Sequence, residues 1–221
     1  MVSKVRVWDL PTRLFHWSLA ACIVGLIVSG QIGDAAMVWH FRMGYAVLSL
    51  LLFRLVWGFI GGRWSRFGNF VVGPAAILRY LRGQGTAAQS VGHNPLGALS
   101  VVALLGFALL QVATGLFSDD EIATTGPLAK LAPGLWVSRA TYYHASIGKY
   151  VLIALVLLHI AALVYYRVRH GKKLVHAMLV GDKELDPMFE SARDDGRSRL
   201  LALVVFAVCA GSVTGLVQWA N

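Results

Sequence analysis

Four histidines of this chain lie inside or at the edges of long apolar segments: His16, His40, His144 and His159. A histidine surrounded by hydrocarbon is energetically expensive, because its ring nitrogens lose their hydrogen bonds to water, so it indicates a functional site. The neutral imidazole is also the commonest metal ligand among the side chains. The four residues therefore indicate metal chemistry inside a membrane.

The composition is that of an integral membrane protein. Of the 221 residues, 57% are hydrophobic and 14% are charged, whereas a soluble domain has about 25% charged residues. The net charge of +9 comes from basic residues that flank apolar segments, which excludes nucleic acid as the partner. Cys22 and Cys209 lie in apolar runs and provide no disulfide framework.

Five apolar segments are long enough to cross a bilayer, which takes about 20 helical residues. They are residues 14–33, 41–60, 97–117, 145–166 and 200–219. Backbone groups in lipid must pair within their own segment, so the segments are helices. The predicted fold is an all-α membrane protein, a four-helix transmembrane haem-binding bundle plus a fifth C-terminal transmembrane helix. Residues 74–82 predict a short amphipathic surface helix.

The distribution of charge predicts the orientation. Cations are concentrated before the first span and in residues 61–96 and 167–199, all on one side of the predicted topology. The other side holds few cations, and its longest loop, residues 118–140, contains the acidic run SDDE. The positive-inside rule then places the N-terminus in the cytoplasm and Asn221 outside. The acidic loop is either a solvated connection or a docking site for a basic partner.

The topology also predicts the depth of each histidine. His16 opens the first span near the inner face, while His40 and His144 open their spans from the outer side. His159 follows His144 by 15 residues, which is about 22 Å along a helix. The rotation around the helix exceeds a whole number of turns by about 60°, so the two side chains point to roughly the same side. His40 should therefore pair with His144 at the outer level, and His16 with His159 at the inner level.

Two imidazoles at one depth are a common axial ligand set for haem iron, so the chain predicts two haem b groups. No Cys-x-x-Cys-His occurs, so the haems would be held non-covalently. Gly44 and Gly148 each follow an outer ligand by four positions and would leave room for the macrocycle, although glycine also serves helix packing. The candidate partners for the haem propionates are Arg13, Arg42, Arg54 and Lys149, and the alternative for each is snorkelling to lipid head groups or a structural role.

Several motifs resemble the bacterial di-haem cytochrome b561 family, whose superfamily includes the Ni/Fe-hydrogenase b-type cytochrome subunit. They are VWDLPTRLFHW (7–17), WHFRMGY around His40, RLVWGFIG (54–61), GHNPLGALS (92–100), YHASIGKY around His144 and LLHIAAL around His159. The resemblance covers residues 5–180 and implies a four-helix bundle with the same four histidine ligands. The corresponding domains are residues 1–180, a cytoplasmic linker at 181–199 and an additional helix at 200–219. That fifth span departs from four-helix members and contains no histidine.

The resemblance implies a multi-pass electron carrier of the bacterial inner membrane. It would pass electrons between the membrane quinone pool and a periplasmic redox partner, and the segment GLFSDDEIATTGPLA (115–129) resembles members that work with c-type cytochromes. Two alternatives stay open: quinol oxidation with direct reduction of superoxide or oxygen, and a haem-bearing anchor subunit of a hydrogenase or dehydrogenase. A homodimer is also open, and the quinone site has no local motif beyond His93 or residues near either haem.

Overall fold

The computed structural model describes residues 3–86, 88–122 and 124–220. In chain order its elements are β1 (Ser3–Arg6), α1 (Leu10–Ile32), α2 (Met37–Ile60), α3 (Pro74–Leu81), α4 (Pro95–Leu116), α5 (Gly134–Tyr142), a π-helix (Tyr143–Gly148), α6 (Lys149–His170), α7 (Leu174–Val180), β2 (Asp182–Leu185) and α8 (Gly196–Ala220). Within the described residues, five helical regions are long and apolar enough to cross a membrane, which confirms the all-α membrane fold. Asn221, predicted to lie outside the membrane, is not among the described residues.

The fourth span differs most from its predicted bounds. Helical structure runs without a break from Gly134 to His170, whereas the sequence predicted a loop up to residue 140 and a span from 145. Ser138, Arg139 and Thr141 lower the hydropathy of α5, so an apolar pattern does not reveal this helical extension. His144 consequently does not open the span but lies within a long helical region. The predicted amphipathic helix at 74–82 is present as α3.

The chain divides into two compact units. The first contains the residues up to His16, together with Arg54–Ala103 and Leu158–Val205. The second contains Trp17–Phe53, Leu104–Leu157 and the chain from Phe206 onward. His16 and His159 belong to the first unit, while His40 and His144 belong to the second, so each predicted pair lies within a single unit.

Helix α1 begins directly after Asp9, whose carboxylate is completely buried. It accepts hydrogen bonds from the Thr12 amide at 2.8 Å, the Gly62 amide at 3.0 Å, the Ser65 hydroxyl at 3.1 Å and the Trp57 indole at 3.3 Å. The bond to Thr12 is a typical helix N-cap, and the others join α1 to the end of α2 and the residues that follow it. Asp9 therefore holds the start of the helix that carries His16.

Residues 181–199, predicted as a linker, contain packed and hydrogen-bonded structure in the first unit. Strand β2 pairs antiparallel with β1, with Ser3 opposite Leu185 and Arg6 opposite Asp182. Side chains from β1 and the residues after it form a hydrophobic cluster with other parts of this unit, namely Val5, Val7, Trp8, Val91 and Ala177. Both strands have only four residues, and most of these residues are polar or charged. Their sequences therefore do not show the alternation of apolar and polar residues that predicts a strand.

Asp194 connects this segment to the N-terminal part of the first unit. Its side chain is 6% exposed and accepts hydrogen bonds from Arg199 at 3.0 Å, the Leu10 amide at 3.2 Å and Arg6 at 3.3 Å. Burial by itself raises the pKa of Asp194, but the hydrogen bonds from Arg199 and Leu10 and the charges of Arg199 and Arg6 outweigh it. The pKa therefore lies below its ordinary value of 3.8.

Helix α8 buries one narrow face and leaves its other faces exposed. Its buried residues recur at intervals of four and seven positions, which is the spacing of one helix face: Ser198, Ala202, Cys209, Val213 and Ala220. In the second unit, the Phe206 ring meets the Phe53 ring of α2 edge to face, with centroids 6.1 Å apart. The additional span is thus packed along one seam.

We expect Asp194→Asn to loosen the N-terminal segment at neutral pH. The native carboxylate has a lowered pKa, so its stabilising contribution is complete at neutral pH and is lost as the pH falls through the folded-state value, below 3.8. Hydrogen exchange of the amides of residues 3–10 should be about tenfold faster in the variant at pH 7, which is what loss of a charged hydrogen bond typically costs. The difference from the native protein should shrink toward pH 3.

Asp186→Asn is the control, because it removes the same charge from an exposed carboxylate. It should leave this exchange unchanged. Equal protection of Asp194→Asn and the native chain at pH 7 would contradict the assigned role.

Candidate functional site

In the second unit, the structure brings His40 and His144 together. His40 lies in the first turn of α2, His144 lies in the π-helix, and their ring centroids are 6.1 Å apart with the ring planes at 84°. Two imidazoles this close together between two helices are a possible two-ligand metal site.

Each of these two rings is hydrogen-bonded to a backbone carbonyl of a neighbouring helix. Nδ1 of His40 lies 3.1 Å from the Leu26 carbonyl of α1, and Nδ1 of His144 lies 2.8 Å from the Gln111 carbonyl of α4. A carbonyl can only accept, so Nδ1 carries the proton in both rings and donates it. The other nitrogen, Nε2, is then the one with a lone pair for a metal.

A glycine four residues after each carbonyl makes room for the ring. A Cβ atom at Gly30 would lie 3.2 Å from Cε1 of His40, and a Cβ atom at Gly115 would lie 2.7 Å from Cε1 of His144. Residue i+4 lies on the same helix face as residue i, so its side chain would cover the carbonyl that the histidine uses. Leu26 with Gly30, and Gln111 with Gly115, therefore form two equivalent carbonyl–glycine seats.

The π-helix at Tyr143–Gly148 gives His144 a second contact with α4. Its own backbone carbonyl accepts a hydrogen bond from Nε2 of the Gln111 side chain at 2.9 Å. Gln111 thus binds His144 twice, through its backbone carbonyl to the ring and through its side chain to the main chain. π-Turns inside α-helices occur frequently at functional sites, and here the turn lies at a proposed ligand.

In the first unit, the structure brings His16 of α1 and His159 of α6 together. Their ring centroids are 6.5 Å apart with the planes at 53°. His93 is close enough to interact electrostatically with both, and its ring packs 4.7 Å from Trp8 and 4.6 Å from Phe70. Nδ1 of His93 is buried and has no hydrogen-bond partner in the part of the chain that is described.

Lys183 of β2 lies beside the chain segment that leads to His93. Its ammonium group donates to the carbonyls of Val91 at 2.6 Å and Gly92 at 3.3 Å, and it lies 5.8 Å from the Trp8 ring. Burial, and after it the charge of Lys172, lowers the pKa of Lys183 to about 8. This lysine therefore holds the turn before α4 and connects β2 to it.

Arg54 is the most buried of the four predicted propionate partners, with only 3% of its surface exposed. Its Nη2 donates to the Ser65 carbonyl at 3.0 Å, and its guanidinium carbon lies 4.7 Å from the centre of the Phe67 ring. Nη1 is buried without a hydrogen-bond partner among the described residues. A guanidinium N–H that is buried and unpaired is costly, and an anionic ligand would satisfy it.

The other three predicted cations have protein contacts. Nη1 of Arg13 donates to the Leu179 carbonyl at 2.6 Å. Arg42 lies over the Trp39 ring at 5.1 Å, and Lys149 lies over the Tyr150 ring at 4.8 Å. The charge of Lys149 also acts on His144, so its place near this histidine stays a prediction, as does that of Arg42.

The two predicted glycines differ from each other. Nothing lies within 4 Å of a Cβ atom placed at Gly44, so space is open beside this position. At Gly148 the same position is occupied by the side chains of Gln111 and Tyr143. Gly44 is thus compatible with a bulky cofactor beside it, whereas close packing of protein atoms accounts for Gly148.

The spacing of both histidine pairs fits a metal ion between the rings. An imidazole nitrogen binds a first-row metal ion at about 2 Å and lies roughly 1 Å from its own ring centre, so two opposed imidazoles have centroids about 6 Å apart. The observed distances are 6.1 and 6.5 Å. Among the described residues, no group of three or more histidine, cysteine or carboxylate side chains could hold a metal. Haem iron needs only two protein ligands, so these residues fit haem.

The family model of prokaryotic cytochrome b561 matches residues 7–181. The chain belongs to the prokaryotic cytochrome b561 family. It is therefore a multi-pass membrane b-type cytochrome that takes part in electron transfer. The family match includes all four histidines of the two pairs.

Its relatives include proteins named "Probable Ni/Fe-hydrogenase B-type cytochrome subunit". The one from Azotobacter vinelandii is 25% identical over 233 positions, covering 87% of this cytochrome and 92% of the relative. The one from Rhodobacter capsulatus is 26% identical and covers 82% of each chain. A protein from Escherichia coli (strain K12), named for hydrogenase 1, is 24% identical over 52% of this chain and 61% of its own.

The sequence did not predict the carbonyl–glycine seats of His40 and His144. Gly30, Gln111 and Gly115 lie on α1 and α4, away from the segments around the two histidines. The spacing Gln111-x-x-x-Gly115 could have indicated this seat, because residues four apart lie on the same face of a helix. Asp9 was also missed, although it lies in the motif that carries His16.

We expect Gly115→Ala to lower the haem content of this cytochrome. The added Cβ atom would lie 2.7 Å from Cε1 of His144, and the ring would have to leave its seat on the Gln111 carbonyl. The absorbance of reduced haem per polypeptide should fall by about half if the second site stays intact. Visible spectra and protein determination on the purified variant measure this.

Gly106→Ala is the matched control on the same helix, because a Cβ atom there meets nothing within 4 Å. It should retain the full haem content, since alanine is the better helix former. A Gly115→Ala protein with an unchanged spectrum would show that the seat is not needed for binding.

Proposed function

We propose that this chain conducts electrons across the bacterial inner membrane through two b-type haems in series. His40 and His144 would bind the outer haem, and His16 and His159 the inner one. The observation that supports this most is the presence of two histidine pairs, each at the spacing of a bis-imidazole site. Bound haem would supply reversible one-electron chemistry at its iron, and the two histidines of each pair would hold it.

The residues around each pair would orient the ligands. In the outer pair, the Leu26 and Gln111 carbonyls hold Nδ1–H and leave Nε2 for iron. In the inner pair, Asp9 holds the start of the helix that carries His16. Arg54, whose buried Nη1 has no partner in the described part of the chain, is the first candidate for a propionate of the inner haem, with Arg13 as a second.

The electron donor or acceptor in the membrane would be quinone. A quinone carbonyl accepts hydrogen bonds, so its site needs a buried polar group that is free to bind it. His93 has a buried Nδ1 without a partner among the described residues and interacts electrostatically with His16 and His159. We therefore favour His93 over residues near the outer pair as part of the quinone site, on the side where the positive-inside rule places the cytoplasm.

The partner outside the membrane would be a redox protein, with a c-type cytochrome as the first candidate. The second candidate function is that of the haem-bearing membrane subunit of a hydrogenase-type complex, and the names of the relatives favour it. Both functions use the same electron path and differ in the partner. The N-terminus would be cytoplasmic and the C-terminus periplasmic, and a homodimer remains a prediction.

His40→Ala and His16→Ala separate the two proposed sites. His40→Ala should lose the outer haem and stop transfer to an impermeant oxidant at the periplasmic face, while a quinol still reduces the remaining haem. His16→Ala should lose the inner haem and its reduction by quinol. Stopped-flow spectroscopy of reduced haem in spheroplasts measures both steps. His170→Gln, a histidine outside both pairs, is the control and should behave as the native chain.

Two results would contradict the proposal. Retention of both haems in His40→Ala and His144→Ala would rule out the outer pair as a ligand set. Oxidation of the native protein by superoxide or oxygen as fast as by the impermeant oxidant would favour the alternative of a quinol-dependent oxidoreductase.

A further inference from the structure

A cavity of about 340 Å³ lies in the first unit, where α6 ends and α7 begins. Leu163 and Arg167 of α6 form one wall, Lys172 and Lys173 occupy the turn, and the first residues of α7 complete the lining. The turn is held by a hydrogen bond from the Lys172 amide to the Tyr166 carbonyl at 3.2 Å. The cavity is therefore formed by ordered backbone at the end of a membrane-spanning region.

The cations of this cavity have no acidic partner. The ion pairs of the described residues use other basic groups, and none includes Arg167, Lys172 or Lys173. Arg167 donates a long hydrogen bond to the Gly171 carbonyl, and Lys172 lies 5.6 Å from the centre of the Tyr166 ring. Lys172 also lies near enough to Lys183 for their charges to repel each other. Three like charges around one cavity repel each other, and a bound anion would offset this repulsion.

The cavity also has an apolar side next to its three cations. Leu163, Leu174 and Val175 also line the cavity, and Val164 and Val168 on the same helix are 56% and 75% exposed. α6 belongs to a helical region that is long and apolar enough to cross a membrane and that ends at His170. Arg167 lies in its last turn, and Lys172 and Lys173 follow directly after it, so we expect the apolar surface to face lipid next to these cations. The rings of Tyr165 and Tyr166 pack with His170 at the same level, which is typical of a membrane interface.

We propose that this cavity binds the head group of an anionic phospholipid. The phosphate would contact Arg167, Lys172 and Lys173, and the acyl chains would lie along the apolar side of α6. Basic pockets at the ends of membrane helices favour anionic lipids in this way. Free phosphate would use the same cations but would leave the apolar wall exposed, so the structure favours a lipid. The proposal is independent of the haem sites.

Native mass spectrometry of the purified holoprotein in detergent tests the proposal. Dioleoylphosphatidylglycerol should bind to the native protein several-fold more tightly than dioleoylphosphatidylcholine, and inorganic phosphate at equal concentration should not displace it. The double variant Lys172→Gln/Lys173→Gln should bind phosphatidylglycerol about tenfold more weakly, since each cation near a membrane contributes a few-fold in affinity. An unchanged haem spectrum shows that the variant is folded.

The matched control is Arg79→Gln/Arg82→Gln, which removes two exposed cations from the region of α3. It should leave phosphatidylglycerol binding unchanged. Val175→Trp keeps every charge but fills the cavity, so it should weaken binding as well. Equal loss in the control and cavity double variants would overturn the proposal in favour of unspecific attraction. Equal binding of phosphatidylcholine, or displacement by phosphate, would overturn it too.

Discussion

The constraint on which this structure depends is that an imidazole N–H inside a membrane must find an acceptor. Water is absent there, and most backbone carbonyls are already used and covered by side chains within their helices. His40 and His144 solve this in the same way, each donating to a carbonyl that a glycine four positions later uncovers. The hydrogen bond satisfies the ring and also decides which nitrogen can bind a metal.

That solution has consequences for helix packing. A ring seated on the backbone of its neighbour requires α1 to approach α2 closely, and α4 to approach the π-helix that carries His144. Elsewhere in the second unit, the close approach of Met43 to Gly25 shows the same use of a residue without a side chain. In the first unit, two buried carboxylates connect neighbouring segments. Asp9 and Asp194 each accept several hydrogen bonds and so hold the ends of helices and loops.

Hydropathy and helical spacing predicted the spans and the partners within each histidine pair, because both depend on position along single helices. The seats could not be predicted in the same way. Gly30 precedes His40 by ten residues and Gly115 precedes His144 by 29, and only the packing of the helices brings them together. The π-turn and the short strands are likewise products of tertiary contacts, since SKVR and DKEL contain too many charges to indicate a sheet. At Gly148, the spacing of four residues after His144 coincides with close packing against Gln111 and Tyr143.

The central claim is that each histidine pair holds one haem. A pyridine haemochrome assay on the purified protein, combined with a redox titration of the visible spectrum, tests it most directly. The account predicts two b-type haems per polypeptide, with low-spin spectra and two resolved potentials. One haem per polypeptide would mean that one pair is structural and that this chain alone does not connect the two sides of the membrane. A protein without haem would contradict the account entirely.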